Sequence, residues 1–217
     1  MPIFSLDKEL VFPPAELAEP DGLLAFGGDL SVERLLLAYR SGIFPWYEGE
    51  HIIWWSPDPR FILDPDNLYV SKSMQVFIRK TSLHFTINKN FRGVIEACKN
   101  SVRREQDGTW ISDEMIVAYT KLHELGFAHS AEAWRDDELV AGLYGIRMGQ
   151  FFFGESMFTN LSNASKFAFI RYVQHLKSEG VMLIDCQVYT EHLESFGASM
   201  ISRKEFLNIL SQNLEPR

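Results

Sequence analysis

The string LIDCQV at 183 to 188 reads as a short strand, and it carries two groups that an apolar strand does not need. Side chains alternate along a strand, so the spacing predicts Asp185 and Gln187 on one face and Cys186 on the other. A carboxylate and an amide on one face need either buried hydrogen-bonding partners or a task. Cys186 fits a small buried hydrophobe, and its one sequence neighbour of the right type, His192, makes no argument for a Cys–His pair. The second group is Glu155, in FFFGESMF at 151 to 158. Lying between Gly154 and Ser156, it is expected at a strand end. There it is either a turn or N-cap carboxylate for the following helix or a functional acid, since acids are seldom buried unpartnered. The residues around it, Phe151, Phe152, Phe153, Met157 and Phe158, suit either core or an apolar pocket.

A third concentration is aromatic. Trp46, Trp54, Trp55 and Trp110 stand beside Pro or Gly in loop-like contexts, where an indole either plugs a turn or offers a face for a nucleobase. Charge points the same way. Lys72, Arg79, Lys80, Lys89, Arg92, Lys99, Arg103 and Arg104 face Glu96 alone between 72 and 104, a net +7 inside a chain whose total is −8. Such an island is either a solvated helical face or a local phosphate attractor, and with loop tryptophans it suits single-stranded RNA. His123, His129, His175 and His192 lack metal-ligand spacing, and there is no Walker motif. The glycine-rich pyrophosphate loop of acyl-CoA N-acetyltransferases is absent too.

These groups must be carried by a chain of 217 residues, 46% of them hydrophobic. That is enough for a sizeable core, and the balance excludes a disordered, collagen-like or coiled-coil protein. No apolar run approaches the roughly 20 residues of a membrane span. The start, MPIFSLDKEL, lacks the pattern of a secretory signal, so the expected location is the cytoplasm. Two cysteines, Cys98 and Cys186, give no disulfide framework. Eight of nine prolines and three of five tryptophans fall within the first 65 residues. Residues 1–61 therefore read as a small irregular N-terminal domain with one helix near 31–41. Residues 62–217 read as α+β, with helices near 71–80, 89–98, 113–125, 163–179 and 203–211. Strands are expected at 84–87, 127–134, 138–147, 150–155 and 181–188. The middle three form an antiparallel meander, and the helix after them makes a strand–helix–strand crossover.

Taken together, EPDGLLAFGGDLS (19–31), LLLAYRSGIFPWY (35–47), WWSPDPR (54–60), GTWIS (108–112), LHELGFAHSAEAW (122–134), GESMF (154–158), NASK (163–166) and LIDCQV (183–188) resemble the bacterial leucyl/phenylalanyl-tRNA–protein transferase family, in its order and over most of the chain. The resemblance implies a small N-terminal domain followed by a GNAT-like acyltransferase domain with a mixed, mainly antiparallel sheet. It implies transfer of Leu or Phe, less readily Met, from aminoacyl-tRNA to an N-terminal Arg or Lys of an acceptor protein, which marks that protein for N-degron proteolysis. The donor fits the missing pyrophosphate loop. Asp185 and Gln187 fall on the family's catalytic pair, Gln187 holding the attacking amine and Asp185 orienting or polarising it, and Glu155 is the candidate for attracting the acceptor's basic end. Trp46 and Trp110 match the tryptophans that contact the terminal adenosine. Phe153, Met157 and Ile184 lie where the aminoacyl side-chain pocket would form, and Lys72, Arg79 and Lys80 where the tRNA backbone would run. Gln75 and Val76 replace expected basic residues, which predicts a shallower salt dependence. Nothing in the sequence calls for a metal, a diffusible cofactor or a membrane, and a monomer is expected because one tRNA per chain needs no dimer. The competing readings are an acyltransferase with a CoA donor and an RNA-binding module without chemistry.

Overall fold

The computed structural model describes residues 3–101 and 111–214. In the N-terminal part, β1 (Phe4–Leu6) runs parallel to β2 (Leu23–Gly27). Helix α1 (Val32–Arg40) starts where Ser31 accepts the backbone N–H of Arg34, and it stops before Gly42, whose φ of +71° suits a residue without a Cβ. It buries Leu35, Ala38 and Tyr39. Strands β3 (Phe44–Pro45) and β4 (Ile53–Trp55) complete a four-stranded sheet of order β1-β2-β4-β3.

The larger sheet begins with β5 (Arg60–Leu63). Then come α2 (Lys72–Lys80), β6 (His84–Ile87), α3 (Phe91–Asn100), α4 (Asp113–Glu124), β7 (Ala128–Arg135), β8 (Glu138–Met148), β9 (Phe151–Thr159), α5 (Ala164–Ser178), β10 (Leu183–Gln187), α6 (Glu191–Glu194), β11 (Ser199–Ile201) and α7 (Arg203–Asn213). The seven strands lie in the order β11-β5-β10-β9-β8-β7-β6. Their pairs are antiparallel except β9 with β10, which are parallel because α5 carries the chain back across the sheet. This is the expected mixed, mainly antiparallel α+β arrangement.

Alternation along β9 assigns its aromatic run to two cores. Phe151 and Phe153 pack with Tyr39, Tyr119, Tyr144 and Phe91 on the face that meets the small sheet, α1, α3, α4 and α7. Phe152 packs with Leu143, Ile184, Phe169 and Val173 on the face covered by α5. The first core is continuous between the two sheets. Arg203, at the start of α7, donates to Ser56 O at 2.6 Å, tying the segment between β4 and β5 to the C-terminal helix.

Two strands, β5 and β11, were not expected. β5 is the short, fully buried run RFIL beside prolines, whose alternation is hidden because both of its faces are covered. It places the expected division after residue 61 inside a strand of the large sheet. β9 also continues to Thr159, four residues beyond the expected end, so Glu155 lies mid-strand and is no N-cap.

Candidate active site

Two β-bulges on adjacent strands build the site. On β9, Ser156 pairs with Tyr144 and Gly154 with Gly145, which leaves Glu155 as the extra residue. Gly145 is required there, because a Cβ would come within 2.2 Å of Phe153 O and 2.5 Å of the Phe152 ring. On β10, Asp185 pairs with Ile62 and Gln187 with Phe61, so Cys186 is extra, and Gln187 sits at φ +65°, a conformation unusual for a side-chain-bearing residue. Parallel pairing of β9 with β10 ends at Phe153–Asp185. Beyond that point the residues of both strands line a cavity instead of pairing.

Gln187 Nε2 donates to Glu155 Oε1 at 3.0 Å. Tyr39 of α1 donates to the same oxygen at 2.8 Å, and Tyr119 of α4 donates to Oε2 at 3.1 Å. The two phenol oxygens also contact each other in a short hydrogen bond. Two phenolic protons cannot fill three contacts; a third proton on the carboxyl would fill them by turning Oε2–H toward Tyr119 and the Tyr119 proton toward Tyr39. Electrostatics agree. Burial pushes Glu155 from its ordinary 4.5 up to about 7, against the pull of the hydrogen bonds from Tyr39, Tyr119 and Gln187, and the Asp185 charge adds to the rise. Burial and the Glu155 charge hold both phenols well above their usual range. Because Gln187 turns its NH₂ to Glu155, its carbonyl Oε1 is left without a partner among the described residues.

Asp185 is fully buried and is held by Arg60 in a two-point fork, Nε to Oδ1 at 2.8 Å and Nη2 to Oδ2 at 2.6 Å. Its Oδ1 also accepts the backbone N–H of Gln187 at 2.9 Å. Asp185 thus touches the backbone of Gln187 rather than its amide group.

The cavity, about 380 Å³, is lined by Leu143, Phe152, Met157, Phe169, Ile184 and Leu193, with Glu155 and Gln187 also on its wall. That volume suits a small ligand or a side chain. Met157 and Ile184, two of the three residues expected at an aminoacyl pocket, line it. Phe153, the third, does not: it lies on the opposite face, its ring 5.3 Å from Tyr39, and Phe152 and Phe169 supply the aromatic walls instead. Cys186 also lines the cavity, but burial pushes its thiol up, with the Asp185 charge adding to the shift, which disfavours a nucleophilic thiolate.

The expected grip of Glu155 on an acceptor cation meets a carboxyl whose Oε1 already has two donors and whose Oε2 has one, which leaves no two-point face for a guanidinium. Trp46 is half-buried, its ring 5.9 Å from Trp55, and it lies outside the cavity lining. Trp110 lies outside the described residues. Lys72, Arg79 and Lys80 lie on α2 with only Met74 of that helix buried, whereas Arg92 pairs with Glu96 and Lys99 with Asp113, so the basic island is partly neutralised. Among the described residues there is no group of three or more acids, histidines or cysteines placed to hold a metal, and no helix long and apolar enough to cross a membrane.

Sequence reasoning missed Tyr39, Tyr119 and Arg60. Tyr39 and Tyr119 look like ordinary apolar-stripe residues, and Arg60 lies in a proline-rich stretch that reads as a loop. Only their buried polar tips distinguish them, and those become visible when the three elements meet.

Comparison with known proteins identifies the family. Residues 62–211 match the family model described as Leucyl/phenylalanyl-tRNA protein transferase, and residues 28–58 match the model of its N-terminal domain. The chain is 54% identical over 215 residues to a leucyl/phenylalanyl-tRNA–protein transferase of Syntrophobacter fumaroxidans, covering 99% of this chain and 92% of that one. It is 54% identical over 209 residues to the protein of that name from Flavobacterium johnsoniae, covering 96% and 99%. A GCN5-related N-acetyltransferase from Kribbella flavida aligns at a TM-score of 0.40 and 9% identity over 77% of this chain and 60% of its own, too distant to carry an argument. With a family match over most of its length and relatives that align nearly end to end, the chain belongs to the leucyl/phenylalanyl-tRNA–protein transferase family.

Proposed function

We propose that this protein transfers a leucyl or phenylalanyl group, and less readily a methionyl group, from aminoacyl-tRNA to the α-amine of an acceptor protein that begins with Arg or Lys. The observation that carries the reading is the carbonyl of Gln187, without a partner among the described residues, beside an apolar cavity, with its amide anchored to Glu155 at 3.0 Å. The donor's side chain occupies the cavity, which leaves the ester carbonyl near Gln187.

The chemistry is undemanding. An aminoacyl ester is already activated, and an α-amine with a pKa of about 7.7–8.0 is partly neutral near pH 7. The amine nitrogen attacks the ester carbonyl, an amide forms, and the ribose oxygen leaves and takes up a proton. Gln187 Oε1 accepts a hydrogen bond from the amine and orients its lone pair, while the Glu155–Tyr39–Tyr119 ring holds an exchangeable proton close to the reacting groups. Such general acid–base help is bounded by about 10²–10⁴-fold, and positioning supplies the rest. No nucleophilic side chain is needed. An apolar pocket also explains a choice of Leu, Phe and Met, since it rejects charged side chains and separates apolar ones poorly, at about 1–3 kcal/mol per methylene. The acceptor would then carry a destabilising N-terminal residue that directs it to proteolysis.

The test is transfer of labelled leucine from Leu-tRNA to a peptide beginning with Arg, beside one beginning with Ala. Label on the Arg peptide alone is the expected result. Bound Leu-tRNA with no label on either peptide would leave an RNA-binding module, a reading that gives the Glu155 ring no task.

A further inference from the structure

Arg60 is 1% exposed and Asp185 0% exposed, yet the two are charged. A buried ion pair is weak evidence for stability, because desolvation cancels much of the attraction. What this pair has in addition is geometry. The guanidinium lies between two rings, 4.8 Å from the centroid of Phe44 on β3 and 4.6 Å from that of Phe206 on α7, and its Nη1 donates to Gly42 O at 3.2 Å. The fork is therefore fixed by both rings and along one edge. It holds Asp185 by both oxygens, and Asp185 Oδ1 in turn accepts the backbone N–H of Gln187. At φ +65°, Gln187 adopts a backbone conformation that an L-residue keeps only when its surroundings impose it. From that conformation its amide reaches Glu155.

We propose that Arg60 is a positioning residue for aminoacyl transfer: by clamping both carboxylate oxygens of Asp185 it fixes the acceptor that holds Gln187 in its left-handed conformation, with the amide aimed at Glu155 and the cavity. The proposal rests on the transfer reading above. Asp185 is then a brace and not a proton carrier, since three donors already occupy its oxygens. The rings of Phe44 and Phe206 extend the brace to the small sheet and the C-terminal helix, so packing far from the cavity reaches the reacting amide through one guanidinium.

The experiment compares steady-state transfer from Leu-tRNA to an Arg-starting peptide by the wild type, Arg60→Lys, Asp185→Asn and the double variant Arg60→Met/Asp185→Asn, each with a thermal melt. Lysine keeps the charge and loses the fork. The expected result for Arg60→Lys is kcat about 10²-fold lower, the size of effect that misplacement by an ångström produces, with KM for Leu-tRNA unchanged. In Asp185→Asn the buried guanidinium is left unpaired. The double variant removes both charges and with them the fork, so its melt is expected to recover relative to the Asp185→Asn single while its kcat stays about 10²-fold below the wild type. The double variant decides alone if Arg60→Lys does not fold. Wild-type kcat in Arg60→Lys or in the double variant, or a loss confined to KM, overturns the proposal. A wild type that transfers nothing overturns the transfer reading and the proposal with it, and so differs from a wild type and an Arg60→Lys variant that transfer equally well.

Discussion

Glu155 and Gln187 are the extra or displaced residues of two neighbouring bulges, and their side chains meet at 3.0 Å across the line where β9 and β10 stop pairing. Regular strands would fix the face of Glu155 by alternation and put Asp185 and Gln187 on one face. The bulges break both rules at one place and so turn backbone irregularity into a polar contact at the edge of an apolar cavity.

The Glu155 carboxyl sets a pH dependence. Its folded value of about 7 exceeds its ordinary 4.5, so the native chain keeps a proton that the unfolded chain releases between those values. Stability from this group is present below pH 4.5 and is lost as pH rises to 7, at up to about 1.4 kcal/mol per unit. Glu155→Gln removes that loss, and its melting temperature should exceed the wild type's at pH 8 and match it near pH 4.5. A scanning calorimetry series over this range checks the sign. At saturating acceptor, the kcat limb near pH 7 should vanish in Glu155→Gln; a variant whose kcat profile is unchanged would remove Glu155 from the reaction.

Tyr39→Phe and Tyr119→Phe each delete a hydrogen bond that lowers the Glu155 value. Both substitutions should therefore move that kcat limb to higher pH, at a stability cost of about 1 kcal/mol each. A limb that stays in place, or moves down, contradicts the ring.

Donor choice should follow the face on which a side chain lies. Met157→Phe narrows the cavity and should lower kcat/KM for Phe-tRNA more than for Leu-tRNA, shifting their ratio about tenfold. Phe153→Leu, on the opposite face, should leave that ratio unchanged while costing about 1 kcal/mol of stability through the lost Tyr39 contact. Paired competition assays with the two charged tRNAs would decide between the faces.

The cations of α2 should act on affinity and not on chemistry. Replacing Lys72, Arg79 or Lys80 by Ala should raise KM for aminoacyl-tRNA, leave kcat unchanged and flatten the plot of log affinity against log salt by about 1 per residue. Lys99→Ala should do less, because Asp113 already neutralises that charge at 2.6 Å. Equal slopes for all four variants would place the tRNA elsewhere.

The parts of the fold that were legible in the sequence are those governed by local periodicity and punctuation. Helix α5 ends before Gly180, β8 and β9 are joined at Gly149, and the crossover from β9 to β10 is written as strand, long amphipathic run, strand. β5 was not legible, because RFIL is buried on both faces and sits among prolines that suggest a loop. The wrong choice between Phe152 and Phe153 has the same kind of cause. Both are fully buried, and no local pattern says which of two covered faces is core and which is cavity.

By itself the sequence determined the family, the α+β class and the chemical identity of Asp185, Gln187 and Glu155, because motif strings and periodicity are properties of neighbours along the chain. The tertiary structure decided what surrounds each of these. Asp185 is spoken for by Arg60, 125 positions away, and Glu155 is enclosed by tyrosines 116 and 36 positions away. Proton sharing, carboxyl burial and a left-handed glutamine all depend on contacts between remote segments. Coulombic and desolvation energies depend on distance in space, and separation along the chain does not encode it.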